Sequence, residues 1–173
     1  MNTTTRRVLA AAALLGVAVP AAGGQVSAGS DDGPTFIYVT PNPIGVNAFL
    51  ELGQIGTERA AEALGGSAET YESTDQTTRR SNIEAAVEEA PDIIVLTTFQ
   101  LVDLADEFSK ANPDQQFILI DTCPEEPAEN LHCAVFREQE ASYLLGIMAG
   151  NLTETGVIGS VVATAIPFLH RYS

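Results

Sequence analysis

The sequence predicts an α/β domain built on an open, mostly parallel sheet with helices on both faces. Three observations carry this. Strand-like and helix-like patterns alternate from residue 35 onward. Two strand candidates, 92–97 and 117–120, are continuous apolar runs, the pattern of strands covered on both sides. The connections are short and rich in Pro, Gly, Asn and Asp, the residues that turn a chain.

Thr35–Thr40 is a β-branched and aromatic run, hence a strand. Pro41, Pro43 and Gly45 make the next stretch a loop. Residues 47–64 read as a helix with Phe49, Leu52, Gly56, Ala60 and Ala63 on one stripe, stopped by Gly65 and Gly66. Ala68–Glu72 is a second strand. Ser73, Thr74 and Asp75 are N-cap candidates for a helix in which Ile83, Ala86, Val87 and Ala90 recur at helical spacing, and Pro91 ends it. Asp92–Thr97 is the third strand. Leu101, Leu104, Ala105 and Phe108 mark the next helix, and Asn112-Pro113-Asp114 a turn. Phe117–Ile120 is the fourth strand and stops at Asp121. His132–Phe136 reads as a fifth strand. Ala141, Leu144, Leu145, Met148 and Leu152 give the following helix one apolar face. Gly156–Val162 reads as a sixth strand, and Pro167 suits the first turn of a further helix. Parallel crossovers are right-handed, which leaves few topologies. A flavodoxin-like strand order of 2-1-3-4-5 is expected.

The N-terminus reads as an export signal spanning residues 1–28. Arg6 and Arg7 precede an apolar stretch, Val8–Val19, and Val26-Ser27-Ala28 offers small residues for cleavage. A membrane span needs about 20 apolar residues, more than this stretch holds. No Cys lies near the cleavage site to carry a lipid. A polar, turn-rich segment, 29–34, follows. The expected location is therefore the periplasm or the outer face of the cell membrane.

The 173-residue chain carries 8 Lys and Arg against 23 Asp and Glu, a net charge of -15. Such a field repels nucleic acid and anionic lipid and argues against both as partners. The acids are scattered, which fits a solubility adaptation. Cys123 and Cys133 meet an oxidising compartment after export, so a disulfide between them is expected. A thiol nucleophile aided by His132 is the other option.

In an open parallel sheet, ligands sit beyond the carboxyl ends of the strands. That rim comprises residues 40–49, 73–75, 97–100, 121–123, 136–140 and 163–168. It carries hydroxyls, amides and aromatic rings, among them the Thr98 hydroxyl. Asp121, at the end of a buried strand, can accept hydrogen bonds from a ligand or cap loop N–H groups. Phe99 can stack on a planar ligand or pack beneath the next helix, and Phe49 has the same two options. Asp75, Arg79 and Arg80 can form a polar cluster at the rim, and a solvated helix face is the expected reading. No glycine-rich phosphate cradle follows the first strand, no nucleophile elbow is present, and His132 and His170 lack metal-ligand spacing. No enzyme, cofactor or metal is expected.

Several stretches resemble a known family. Pro43–Leu50 followed by Gly56, Ala60 and Ala61 is similar to the first loop and helix of the basic membrane protein (BMP, PnrA-like) solute-binding proteins. So are Tyr71–Asp75, Phe117–Asp121, the dense match Ala134–Gly146, Thr155–Gly159 and Pro167–Arg171. The resemblance spans about residues 35–173. It implies a periplasmic-binding-protein type I architecture, with two lobes closing on a ligand delivered to an ABC-type permease. It implies purine nucleosides as the common ligands. A monomer is expected. It places Phe49 as a stacking aromatic, Asp121 as a polar contact and Phe99 at a cleft position. Nucleoside-binding members carry Asp-x-Ser-Phe-Asn in the first loop, where this chain reads Val46-Asn47-Ala48-Phe49-Leu50, so Asn47 is the polar residue left there. The expected ligand residues are Asn47, Phe49, Thr98, Phe99 and Asp121. Residues 35–173 are expected to form the N-terminal lobe without its second lobe. A sensory domain of the same fold, signalling to a receptor, is the alternative, with a hydrolase behind it.

Overall fold

The computed structural model describes residues 33–45 and 47–161. The export signal, most of the segment 29–34, His170 and the helix expected at Pro167 lie outside them.

Five strands form one sheet: β1 (Thr35–Thr40), β2 (Ser67–Glu72), β3 (Ile93–Thr97), β4 (Gln116–Ile120) and β5 (Leu131–Ala134). Their order is β2-β1-β3-β4-β5 and every pairing is parallel, as expected. The register sets Tyr38 against Val95 and Val95 against Ile118, so one row of side chains crosses the sheet. The helices are α1 (Ala48–Ala63), α2 (Gln76–Glu89), α3 (Val102–Ala111) and α4 (Glu138–Leu152). A single 3-10 turn, Phe99–Leu101, precedes α3.

Alternate side chains of each strand serve opposite faces. Ile37, Val39, Ile94, Leu96, Phe117, Leu119 and Leu131 meet Ile83 and Ala86 of α2 and Leu104 and Ala105 of α3 in the larger core. Phe36, Tyr38 and Val95 meet Ala61 of α1 on the other face. Each fully buried Leu, Ile or Phe contributes on the order of 2 kcal/mol. The second face is covered unevenly. Ile118 and Ile120 of β4 stay only partly buried there.

Helix α1 begins where Asn47 caps it, its side-chain oxygen accepting from the Phe49 and Leu50 N–H groups. Gly65 follows at φ 71, in the left-handed conformation that ends helices. The stripe expected on α1 is corrected. Its buried residues are Leu50, Thr57 and Ala61, while Leu52 is 65% exposed and Ile55 also faces outward. The reason is Tyr38. Its ring is fully buried, and its hydroxyl donates to the Leu50 carbonyl at 3.2 Å. A Cβ on Gly53 would lie 2.3 Å from that hydroxyl, so the helix turns its glycine, not its larger residues, toward the sheet.

Helix α2 is capped by Asp75, whose carboxylate accepts from the Thr78 N–H at 2.8 Å while Thr78 Oγ1 accepts from the Asp75 N–H at 2.9 Å. That backbone hydrogen bond is the main reason the Asp75 carboxyl is held below its usual range. At the amino edge of the sheet, Asn130 Nδ2 lies within 3.0 Å of the carbonyls of Ser109, Asn112 and Gln115, tying the start of β5 to the end of α3.

Two further expectations fail at the carboxyl end. Residues 156–161 form no strand, and Val157, Ile158 and Val161 are exposed. Strand β5 stops at Ala134, leaving Val135 and Phe136 outside it. The apolar face expected on α4 exists but is not buried: Leu144 is 62% and Leu152 77% exposed, and Leu145 and Met148 are exposed as well. Helix α4 makes no extensive contact with another element among the described residues. A helix face is buried only when an element stands opposite it, and a strand forms only beside a ladder partner.

Two measurements check this core. Gly53→Ala should destabilise by about 1–3 kcal/mol in urea unfolding, because the added methyl displaces a fully buried ring. Burial pushes the Tyr38 hydroxyl up to about 12 from its ordinary 10, with a hydrogen bond to Thr97 opposing. A raised acid favours the fold below its unfolded value and loses that contribution as pH rises through the folded one. Stability should therefore drop between pH 10 and about 12, by at most about 2–3 kcal/mol from this group. Tyr71, pushed up to about 12 chiefly by its hydrogen bond to Glu89, titrates in the same window at a more exposed position. Tyr38→Phe should remove the larger part of the slope in pH-dependent urea melts.

Candidate functional site

Parallel pairing brings all five strand exits to one edge. The exits of β3 and β4 are unusual. β3 leaves through Thr98 at φ 71 and ψ 158, a region essentially reserved for glycine. β4 leaves through Asp121 at φ 88. The two positions are neighbours, because Thr97 pairs with Ile120 and the Thr98 N–H donates to the Ile120 carbonyl at 3.0 Å. Thr98 then turns the chain into the 3-10 segment. Its carbonyl accepts from the Leu101 N–H, and its Oγ1 accepts from the Gln100 N–H at 3.3 Å. A β-branched residue held there is strained, and Thr98 keeps the conformation because both neighbouring strands are fixed.

The expected residues fall along one connected path on this edge. Phe99 directly follows Thr98. The Asp121 N–H donates to the Ala134 carbonyl at 2.8 Å, which joins the exits of β4 and β5. Two residues beyond Ala134, the half-exposed Phe136 meets Phe49 edge to face, ring centroids 6.2 Å apart. Asn47 lies two residues before Phe49, its Oδ1 engaged in capping α1.

Sequence reasoning missed the polar lattice that holds the rim. Asn42, between two prolines after β1, donates from Nδ2 to Gln100 Oε1 at 2.7 Å and accepts from Arg79 at 3.0 Å. The Arg79 Nε donates to the Pro41 carbonyl at 2.7 Å, and Thr40 Oγ1 to the Asn42 carbonyl at 2.7 Å. Glu72, ending β2, accepts the Ile44 N–H at 2.7 Å. The loop leading to Asn47 and Phe49 is thus tied to α2, to the end of β2 and to the segment after β3. The reading of Arg79 as solvated is corrected: it is half-buried, and its guanidinium donates to Pro41 and Asn42 of this loop and to Gln76 of α2. Arg80 does lie on the outer face, paired with Glu107 at 2.6 Å and set 5.5 Å over the Phe108 ring. An Asn flanked by prolines at a strand exit was the available signal for this lattice.

Cys123 and Cys133 form a disulfide, their Cα atoms 5.5 Å apart, which removes the proposed thiol nucleophile. His132 is exposed on β5 beside Gln116. A concavity of about 530 Å³ lies at the other end of the sheet, lined by Ser109, Lys110, Gln116 and Asn130 among others. It is open, and its Asn130 is already engaged in joining β5 to α3. The strained, polar and aromatic rim is the better candidate.

Comparison with known proteins agrees with this fold. The family described as Bmp, ABC transporter substrate-binding protein PnrA-like, matches residues 42–173. An uncharacterized lipoprotein of Pyrococcus abyssi is 31% identical over 129 residues, 72% of this chain and 32% of its own length. The ABC transporter nucleoside-binding protein BmpA of Lactococcus lactis is 26% identical over 53% of this chain and 26% of its own. A crystal structure of an ABC transporter solute-binding protein from Aeropyrum pernix superposes with a TM-score of 0.62 at 27% identity, covering 70% of this chain and 34% of that one. The chain belongs to the Bmp, PnrA-like family of ABC transporter substrate-binding proteins. It spans about a third of the length of the curated relatives it matches.

Thr98→Gly should relieve the backbone strain and raise stability by about 1 kcal/mol in chemical unfolding. Replacing both cysteines with Ser should lower stability by about 2–3 kcal/mol, since a short loop loses its crosslink.

Proposed function

We propose that this chain is a ligand-capturing lobe of the exported, extracytoplasmic component of an ABC importer. Its ligand is a small polar molecule of the purine nucleoside kind, held at the carboxyl rim. The observation that carries the reading is the pair of adjacent strand exits at Thr98 and Asp121. Strain of this sort clusters at ligand clamps, where the surrounding structure over-determines it.

In this reading Phe49 stacks on the base, with Phe136 bracing its ring. Asp121 accepts hydrogen bonds from ligand hydroxyl or amine groups. Asn47 and Thr98 add polar contacts, and Phe99 lines the wall. The name of the Lactococcus lactis relative supports a nucleoside over other small solutes. The lipoprotein description of the Pyrococcus relatives, with the N-terminal signal pattern, supports a location outside the cytoplasm. A single rim forms one wall of a pocket, and tight binding needs most of the ligand surface enclosed. Closure of a second lobe over the rim would supply that enclosure and report occupancy to the permease.

The test is thermal unfolding with adenosine, guanosine and inosine. A nucleoside present at 100 times its dissociation constant should add about 2.7 kcal/mol of stability. Phe49→Ala should weaken binding roughly tenfold, the loss of one aromatic stacking contact. A melting temperature indifferent to all three nucleosides removes the nucleoside assignment.

A further inference from the structure

We propose that the Cys123–Cys133 crosslink positions Asp121, so that the order of the rim depends on the redox state of this one bond. Its functional consequence rests on the reading of Asp121 as a ligand contact. The clamp itself does not.

Strand β5 has four residues and lies at the edge of the sheet; among the described residues it pairs with β4 alone. Its amino end is well held: Leu131 is buried in the larger core, and the buried Asn130 amide reaches three carbonyls around α3. Its carboxyl end has less support. Val135 and Phe136 are half-exposed, and among the described residues α4 beyond them makes no extensive contact with another element. A short edge strand with one free side frays from its weaker end.

The crosslink acts at that weaker end. Cys133 lies opposite Leu119 in the ladder, and the next residue, Ala134, supplies the carbonyl that accepts the Asp121 N–H at 2.8 Å. Cys123 is two residues beyond Asp121. Disulfide and hydrogen bond therefore close a small ring containing Asp121, Thr122 and Cys123 on one side and Cys133 and Ala134 on the other. The ring holds Asp121 in its left-handed conformation from both directions. Phe136, which braces Phe49, hangs from the same strand end. Reduction by a small dithiol would open the ring. The S–S bond takes up two electrons and two protons to give two thiols, and the dithiol is oxidised to its own disulfide.

The test is amide hydrogen exchange on the protein before and after dithiothreitol, with reoxidation as the control. The expected result is exchange at Asp121, Thr122 and Ala134 accelerated roughly tenfold or more, with Tyr38 and Leu96 in the central strands unchanged, and recovery on reoxidation. The Cys123→Ser, Cys133→Ser double variant should behave like the reduced protein. Unchanged exchange at Asp121 overturns the proposal. So does uniform acceleration across all strands, which would make the disulfide a general staple. A second arm measures adenosine affinity, which should fall at least roughly fivefold on reduction. Equal affinity in both redox states overturns the coupling to the ligand. Absence of adenosine binding by the oxidised protein counts against the nucleoside reading, while the exchange data still decide the clamp.

Discussion

Parallel pairing obliges every strand of this sheet to finish on the same side. That constraint organises the rest of the molecule. Each crossover must carry the chain back along one face, so α1 covers one side while α2 and α3 cover the other. β1 and β3 are consequently buried on both faces, β4 fully on one, and these three strands contribute most of the core. Five chain exits then crowd onto one edge, where the backbone can no longer be satisfied by strand pairing alone. The physics of the core and the location of the rim are two results of one geometric rule.

The two edges of the sheet meet this situation differently. At the amino edge, Asp92 accepts from the N–H and hydroxyl of Thr35 at 2.7 and 2.9 Å, and Asn130 ties three carbonyls together. Those contacts are local fasteners beside Ala90, which at φ 49 caps the end of α2 in the left-handed conformation. At the carboxyl edge, the lattice of Asn42, Arg79 and Gln100 fixes one loop, while Thr98 and Asp121 hold conformations that their residue types disfavour. In the proposed reading, tied loops beside strained exits form a preorganised surface, since little conformational freedom remains to be lost when a ligand arrives.

The packing also has a clear outer limit. The core closes around β1 to β5 with α1, α2 and α3, and its integrity owes nothing extensive to α4. Helix α4 is regular in its backbone yet leaves Leu144, Leu145, Met148 and Leu152 exposed. Secondary structure and tertiary burial are separate outcomes here. The first follows from local hydrogen bonding, the second from what stands opposite.

The strands, the helices and the strand order were legible from residue pattern, because buried parallel strands such as 93–97 and 116–120 must be apolar on both faces. The rim was legible for the same reason, since the topology names the strand exits. The resemblance quoted for Pro43–Leu50 and Ala134–Gly146 correctly named the family. Three-dimensional packing decided what periodicity could not. It turned α1 so that Gly53 rather than Leu52 faces the buried Tyr38 ring, left the α4 face open, kept residues 156–161 out of the sheet, and drew Arg79 from a solvated helix face into the loop after β1. Periodicity records which residues can share a face. Which face is buried, and which long side chain finds an acceptor, depends on partners distant in sequence, and those meet only once the chain has folded.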